Sequence, residues 1–552
     1  MNKENLKSFP ACLAISTLLT VAPLFFTDIF YMFGDDYLIN YIANGSFGDK
    51  WSAHLVFVKY PAGLLLKALY GIAPSFNWYA ALLIGSMALS FALILRAVFL
   101  TTSHPAAPVF VLIMNAAAVP LFLTFTVASF LAAAAGFVSL LAVLRRDEHP
   151  IRLIPGVLML ALSYNLRKNC LVPMAGIAFP AFFSLLLEKI KEQKLSSGLI
   201  RKAALAAAGT VILVGCTEIS DRAAYSSDEW KSYLAYTSAR SSYLDYPTVE
   251  YETFQPQFLD AGFSKEAYLL INRWTFCEKN VFSTERLKEV ADIAHSAMGK
   301  RYRLRYTVDE LSGSPTRYCI LIPLILLLTL AAGSPGFKKK TAAFTFVMLV
   351  MVLCALAFLR LRVLLRITVP LAMGACAFIS MCAGGRPDSK MRKIFSAAGC
   401  AVLALMLFLF FGGYKDAVAG LRSKSTAQSY NELRSEIDRH PDSTYVIESS
   451  IYVHLFQWGH TIDEVVKTDT FKHVFRGGSW DSYSPRFYEE ARELGVSDPD
   501  NLLSSLSDTE NMYLVTEDDG FVLDFLNHEY WGGYSTAEEK MKGAARICTI
   551  RK

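Results

Sequence analysis

The sequence predicts an α-helical polytopic membrane protein with a large external loop and a small C-terminal α/β domain. Two observations predict this class. Of the 552 residues, 53% are hydrophobic and 19% are charged, whereas a soluble chain averages about 45–50% and about 25%. Uninterrupted apolar runs of membrane-spanning length, such as Phe76 to Leu95, also recur along the chain. This composition excludes disordered, collagenous and nucleic-acid-binding proteins.

About eleven apolar segments are expected to form transmembrane helices, including a short fifth segment that also fits a re-entrant helix. They begin near Pro10, Phe76, Pro105, Thr124, Ile151, Leu171, Ala203, Arg317, Thr341, Ile367 and Ile394. A cleaved signal peptide is an alternative for the first segment. We disfavour it because no A-x-A-like cleavage site follows that segment.

The distribution of basic residues predicts the orientation. When loops are assigned alternately from a cytoplasmic N-terminus, each inside segment carries excess Lys and Arg, as the positive-inside rule requires. The clearest of these segments contain Arg145, Arg146 and Arg152, then Lys189, Lys191 and Lys194, and then Lys338, Lys339 and Lys340. We therefore expect a cytoplasmic N-terminus and an extracytoplasmic C-terminus.

This topology divides the chain into a polytopic transmembrane domain over residues 1–413 and an external domain over residues 414–552. The transmembrane domain carries two external loops, residues 34–75 and 220–316. A transporter usually keeps its loops short and its polar groups at the bilayer midplane. Polar mass outside the membrane is instead typical of a membrane enzyme that works at the outer surface.

The C-terminal tail has the pattern of a small α/β domain, with strand-like and helix-like segments in alternation. Short apolar runs predict strands at Ser443–Glu448, Asn511–Thr516 and Ile547–Ile550. Helical periodicity predicts helices at Ala427–Arg439, Pro485–Leu494 and Phe521–His528.

Two adjacent carboxylates, Asp35 and Asp36, follow the first apolar segment. Such a pair can act as the general base for an acceptor hydroxyl, or bind Mg²⁺ or Mn²⁺ together with a substrate phosphate. A solvated acidic loop is the plain alternative. The stretch over residues 52–70 is too short to span and is interrupted by Pro61 and Gly63, which predicts a pair of interfacial helices.

This order of features resembles the GT-C superfamily of membrane glycosyltransferases, and within it the bacterial serotype-converting glucosyltransferases. The likeness rests on the acidic segment FGDDYLINYIANGSFGDKW, the interfacial stretch and the overall layout. It implies a GT-C-like fold and a polyprenyl-phosphate-linked sugar donor. It also implies a catalytic acid at Asp35 or Asp36, and action at the outer face of a bacterial plasma membrane.

Basic residues also lie on the predicted external side, at membrane depth. The candidates are Arg360, Arg362 and Arg366 between the ninth and tenth segments, and Arg167 and Lys168 after the fifth. Ionisable residues at this depth are usually functional, and arginine binds phosphate with two parallel hydrogen bonds. They predict a site for the donor phosphate. Snorkelling to lipid headgroups, or pairing with Asp28 or Glu218, is the alternative.

The large loop contains a crowd of aromatic residues with charged neighbours. The residues expected to bind the acceptor sugar are Trp230, Tyr233, Tyr236, Arg240, Tyr243 and Asp245. Aromatic faces with flanking carboxylates suit sugar rings and their hydroxyls. The same composition equally fits an interfacial aromatic belt or the core of a folded loop.

No other motif supports a cofactor. There is no P-loop, no G-x-G-x-x-G turn and no zinc-like histidine spacing, so we expect no nucleotide cofactor. The ten cysteines contain no C-x-x-C pair and mostly lie within apolar runs, which indicates small hydrophobic residues. A disulfide between Cys277 and Cys548 is left open.

Together these features predict a hexosyltransferase that moves a sugar from a polyprenyl-phosphate carrier onto a cell-envelope glycan or glycolipid. The expected partners are the lipid bilayer, the lipid-linked donor and the glycan acceptor, with no nucleic acid. Two alternatives belong to other classes. One is a transporter of polyprenyl-linked glycan or lipid, and the other is a non-catalytic scaffold with an external partner-binding domain.

Overall fold

The computed structural model describes residues 7–47, 50–194, 196–313, 315–331, 334, 336–382, 389–421, 424–456, 460–465, 467–542 and 545–552. The first part of the chain is helical. Its helices are α1 (Phe9–Val21), α2 (Gly34–Asn44), α3 (Tyr60–Ile72), α4 (Trp78–Thr101), α5 (Ala106–Phe122), α6 (Phe125–Arg146), α7 (Ile154–Leu166), α8 (Leu171–Lys191) and α9 (Ser197–Ala224).

The second part contains the large loop and four further apolar helices. The helices are α10 (Asp228–Leu244), α11 (Gln255–Asp260), α12 (Lys265–Asn272), α13 (Thr284–Ala297), α14 (Lys300–Ser312), α15 (Thr316–Ala331), α16 (Gly336–Arg360), α17 (Leu365–Cys382) and α18 (Lys390–Leu421). Serine hydroxyls cap the N-termini of three of the loop helices. Ser227 accepts the Trp230 backbone N–H in α10, and Ser264 and Ser283 cap α12 and α13 in the same way.

The chain is a multi-pass membrane protein. Within the described residues, seven helices are long and apolar enough to cross a bilayer, and the α14–α15 pair, bent by 62°, would make an eighth. Three shorter apolar helices occur at Phe9–Phe25, Ala106–Phe122 and Pro150–Leu166. An apolar helix thus lies at each expected segment, but the count of about eleven spans is not confirmed.

The interfacial stretch differs from the prediction. Only its second half is helical, as α3, while residues 52–59 form no helix. Pro61 lies in the first turn of α3. Backbone N–H groups in the first turn make no hydrogen bond within the helix, so the lack of an N–H in proline costs nothing there. Gly63 lies so close to Ala53 that a Cβ atom would overlap the Ala53 carbonyl oxygen. The irregular segment therefore packs tightly along α3 instead of forming a helix of its own.

The tail is an α/β domain, as predicted. Its elements are α19 (Lys424–Arg439), β1 (Thr444–Ile447), α20 (Ser449–Phe456), β2 (Val474–Arg476), α21 (Pro485–Glu493), α22 (Leu502–Ser505), β3 (Met512–Thr516), α23 (Asp519–Glu529), β4 (Ser535–Lys542) and β5 (Ala545–Arg551). The sheet order is β2-β1-β3-β5-β4, with β1 parallel to both neighbours and β5 antiparallel to both of its own.

Two strands were not predicted. β2 has only three residues, and β4 reads STAEEKMK, which lacks an alternating apolar pattern. β4 is an edge strand, and charged side chains on an edge discourage pairing with other chains. The charged residues that protect this edge strand also replace the alternating apolar residues by which a strand is predicted from sequence.

The large loop and the tail share one hydrophobic core. Tyr236 of α10 packs edge-on against Tyr483 with ring centroids 4.8 Å apart, and Phe282 stacks on Phe525 of α23 at 5.8 Å. Cys277 and Cys548 lie in this core, and all ten cysteines of the chain are free. The two segments therefore fold against each other. In sequence they are separated by the apolar helices α15 to α18.

Polar contacts mark the two ends of the helix bundle. At one end, the Tyr37 hydroxyl donates to the His460 carbonyl (2.7 Å), which joins the first loop to the tail. At the other end, Glu148 binds Arg96 at 3.4 Å and Arg152 at 3.0 Å. The orientation of these two ends in the membrane stays a prediction.

Candidate functional site

The acidic pair lies in the first turn of α2, at the end of the bundle that carries the loops and the tail. Carboxylates are favoured there because the first N–H groups of a helix point toward them. α2 ends at Gly45, whose φ of 76° is a left-handed conformation that suits glycine. Its residues from Asp36 to Asn44 are all buried. The helix is thus fixed between the membrane helices and the tail.

Asp36 is fully buried and has a structural role. Its Oδ1 accepts hydrogen bonds from the Tyr79 hydroxyl (2.8 Å) and from the Phe125 backbone N–H (2.8 Å), so it caps the N-terminus of α6. Its Oδ2 has no hydrogen-bond partner. Burial raises the pKa of Asp36 to about 7, and polar contacts from Thr124, Phe125 and Tyr79 oppose this rise only in part.

Asp35 is the accessible member of the pair. Its Oδ2 lies 2.6 Å from Nη1 of Arg366, and its side chain is 28% exposed, against 7% for Arg366. Arg366 stands at the start of α17, and its guanidinium lies over the Phe33 ring at 4.5 Å. The Arg366 Nε is buried without a partner. The tertiary structure thus joins two residues that are separated by more than half of the chain.

Of the other predicted phosphate-binding residues, one lies beside this pair. Arg167 donates to the Thr126 hydroxyl (2.6 Å), lies over the Phe125 ring at 5.0 Å, and interacts electrostatically with Arg366 and Asp35.

The remaining three predicted cations have different surroundings. Arg362 is paired with Asp245 at 2.7 Å. Arg360 and Lys168 are exposed. The alternative partner proposed for these cations, Glu218, binds Lys59 at 2.8 Å instead. Of the five predicted cations, Arg366 and Arg167 are thus the two that lie beside Asp35.

An aromatic wall borders the acidic pair. Phe57 stacks on Phe125 with centroids 6.1 Å apart, and Trp480 of the tail packs on Phe57 at 4.9 Å. Trp480 is buried, yet its Nε1 has no hydrogen-bond partner. Sequence reasoning assigned no role to Phe57 or Trp480, because no local pattern shows that these distant residues meet.

The residues predicted to bind the acceptor sugar are mostly core residues, which corrects that prediction for four of them. Tyr233, Tyr236, Arg240 and Tyr243 are all buried. Tyr233 donates its hydroxyl to the Trp480 carbonyl (2.8 Å), and Arg240 donates to the Ser479 carbonyl (2.9 Å). These side chains attach α10 to the tail and hold Trp480 in place, so they are not available to a sugar.

Trp230 and Asp245 differ from these four. Trp230 is half-buried and stacks on the His54 ring at 4.7 Å, with 16° between the ring planes. Asp245 is 31% exposed in its pair with Arg362. Contact with a sugar stays a prediction for these two residues.

An apolar groove begins below Arg366. It lies between α5, α15, α17 and α18, and α17 contributes Val369, Met373 and Cys376. These three follow Arg366 at helical spacing, so they lie along the same face of α17 as the guanidinium. The apolar residues that α17 contributes to the groove therefore begin about one helical turn after Arg366.

Asp35 and Asp36 are the residues expected to bind a divalent cation. Within the described residues, no group of three or more His, Cys, Asp or Glu side chains is arranged to hold a metal ion. One Asp35 oxygen already faces the Arg366 guanidinium, and one Asp36 oxygen caps α6. Positive charge at the site comes from the arginines, and a metal bound by Asp35 and Asp36 stays a prediction.

No protein-family model matches this chain, and no curated protein sequence matches it. Two solved structures are similar. One is the crystal structure of ArnT from Cupriavidus metallidurans bound to undecaprenyl phosphate, at 10% identity and a TM-score of 0.36, covering 98% of this chain and 97% of that chain. The other is the same protein in the apo state, at 10% identity and a TM-score of 0.34, with the same coverage. Because the sequence identity and the TM-scores are low, this similarity assigns no functional role to the chain.

Proposed function

We propose that this protein is a membrane glycosyltransferase that moves a sugar from a polyprenyl-phosphate carrier onto an envelope glycan or glycolipid. The observation that carries the proposal is the Asp35–Arg366 pair, about one helical turn from the apolar groove on α17. It combines a proton acceptor, a phosphate-binding cation and a surface for an apolar chain. The GT-C resemblance of the N-terminal region implies a catalytic acid at Asp35 or Asp36 and a polyprenyl-phosphate-linked donor.

The donor binds with its phosphate at Arg366 and Arg167. Two guanidinium groups offer several N–H donors in fixed planes, which suits the oxygens of a phosphate. The unpartnered Nε of Arg366 supplies one such donor without breaking any existing hydrogen bond. The isoprenoid chain then lies along the apolar groove on α17.

The transfer step uses Asp35 as the general base. Its carboxylate takes the proton from the acceptor hydroxyl, and that oxygen forms a bond to the anomeric carbon of the donor sugar. The bond between the anomeric carbon and the phosphate oxygen breaks. The polyprenyl phosphate leaves with the electron pair, and Arg366 and Arg167 stabilise its negative charge.

Arg366 can serve Asp35 and the donor phosphate together. Its Nη1 binds Asp35 at 2.6 Å, and its Nε has no partner. The same guanidinium therefore holds the base and the leaving phosphate through different N–H groups.

The predicted topology assigns this site to the outer face of a bacterial plasma membrane. The loops and the tail meet at the site, and the basic residues Arg96 and Arg152 lie at the far end with Glu148. The positive-inside rule makes that far end cytoplasmic.

The first test compares the surface glycan of cells with and without the protein. We expect one defined sugar to disappear from the profile when the chain is absent. Asp35→Asn should reproduce that loss in full-length protein that is expressed and folded, with transfer slowed by about 10²–10⁴-fold. Asp519→Asn is the matched control, because Asp519 also pairs with an arginine, Arg546, at 3.0 Å, but in the tail.

Each alternative function predicts a different result. A transporter would change the amount of whole glycan at the surface and leave its sugar composition intact. A scaffold would tolerate Asp35→Asn. Either result would overturn the proposed transferase.

A further inference from the structure

A second groove lies at the opposite end of α2 from the acidic pair. It consists of one cavity of about 480 Å³ and a neighbouring cavity of about 240 Å³. The two share Phe47, Glu490 and Glu493 as lining residues, so they adjoin. Together they make one depression where the first loop, the large loop and the tail meet.

The lining of this groove combines aromatic faces with both signs of charge. The stacked His54 and Trp230 rings form a flat surface, and Trp51 lines the same cavity with its buried Nε1 unpartnered. The basic residues of the lining are Lys50, Lys67, Arg486 and Lys472, and the acidic residues are Glu489, Glu490 and Glu493. Several charges are already paired, since Arg486 binds Glu490 at 2.7 Å.

We propose that this groove binds several consecutive sugars of an uncharged oligosaccharide chain, and that this chain is the acceptor. The assignment rests on the proposed transferase function. Flat rings accept the apolar faces of sugars, and carboxylates and ammonium groups bind their hydroxyls. Near-balanced charge gives no advantage to a strongly anionic or cationic ligand. Two adjoining cavities accommodate a chain of sugars better than a single sugar.

One segment of the chain runs from the groove toward the acidic pair. The irregular segment after α2 contributes Trp51 and His54 to the groove, while Phe57, a few residues later, stacks on Phe125, whose backbone N–H binds Asp36. α2 itself has 11 residues, from the acidic end to the groove end, and at about 1.5 Å per residue it spans roughly 16 Å. An acceptor of several sugars is long enough to cover this distance, with its end at Asp35 and its other sugars in the groove.

The test measures binding of glycan fragments to the full-length protein in detergent micelles. The probes are neutral fragments released from the host envelope glycan and separated into lengths of one, three and five sugars. We expect affinity to rise with length. Trp230→Ala and Glu493→Gln should each weaken binding of the longest fragment, by about ten-fold for the tryptophan. Trp531→Ala is the matched control, because Trp531 is 95% exposed on the tail and lines neither cavity.

The outcomes separate the two proposals. The groove assignment would be overturned by any of three results, even if transfer depends on Asp35. The fragments do not bind, they bind equally well at every length, or their binding is unchanged by Trp230→Ala. Preference for a charged peptide over the fragments would also overturn it. If fragments bind as expected but Asp35→Asn leaves the surface glycan unchanged, the groove stands and the transferase proposal fails.

Discussion

Two arginine–carboxylate clusters face opposite ends of α2, and they differ in how completely they are enclosed. In the first, Arg366 holds Asp35, whose side chain is 28% exposed. In the second, Arg476 holds Asp481 at 2.8 Å and Glu490 at 2.7 Å, and no member is more than 5% exposed. The Arg476 guanidinium also lies over the Phe47 ring at 3.9 Å.

The difference shows that the same chemistry can serve binding or folding. Arg476 has two carboxylates and an aromatic ring around it, so a ligand could reach it only by displacing core residues. Arg366 has one carboxylate that water can already reach. We therefore expect substitutions at Arg476 to lower stability and substitutions at Arg366 to lower activity.

The largest effect is expected at Arg476. Arg476→Met should lower the free energy of unfolding by about 3–5 kcal/mol, because it leaves the buried Asp481 without a cation and removes one of the two arginines that bind Glu490. Transfer activity per folded molecule should change little. Thermal unfolding in detergent micelles measures the first quantity, with exposed Arg439→Met as control. If Arg476→Met kept its stability but lost transfer activity, the Arg476 cluster would belong to the catalytic site, and the prediction would be wrong.

At Arg366 we expect the opposite result, a loss of activity with little loss of stability, and a smaller change in free energy. Arg366→Met should lower kcat/KM by about ten- to a hundred-fold, which corresponds to about 1.5–3 kcal/mol for hydrogen bonds to a charged group. The unfolding temperature should fall only slightly, because Asp35 can be hydrated. Arg546→Met, which removes an equivalent arginine from the tail, is the control. Equal losses of stability at Arg366 and Arg476 would erase the distinction between the clusters.

The smallest effect concerns Asp36, which sits beside the first cluster but is fully enclosed. An unfolded Asp loses its proton near pH 4, while folded Asp36 keeps its proton up to a pKa of about 7. Between these values the folded state binds more protons, so stability falls as pH rises. From pH 6 to 7 the expected loss is about 1 kcal/mol. Asp36→Asn should flatten this slope in thermal unfolding measured across pH, and an unchanged slope would contradict the assignment.

Much of the architecture could be predicted from local patterns. Apolar runs located each membrane helix, and short alternating runs located β1, β3 and β5. The acidic pair was found because Asp35 and Asp36 directly follow an apolar segment. Arg366 was found because a cation at membrane depth is costly and therefore informative.

Other features could not be read locally. Tyr233 and Arg240 have the composition of a sugar site, and only their contacts with the Trp480 and Ser479 carbonyls show that they join the loop to the tail. Composition describes which interactions a side chain can make. It does not say whether the partner is a ligand or another part of the same chain.

The sequence by itself determined the membrane class, the separation of charge between the two ends and the identity of the acidic pair, since each depends on neighbours along the chain. The tertiary structure decided which acid is accessible. Asp35 and Asp36 are adjacent and chemically equal, but successive side chains on a helix point in different directions. One therefore meets Arg366 at an open edge, and the other is buried against α6.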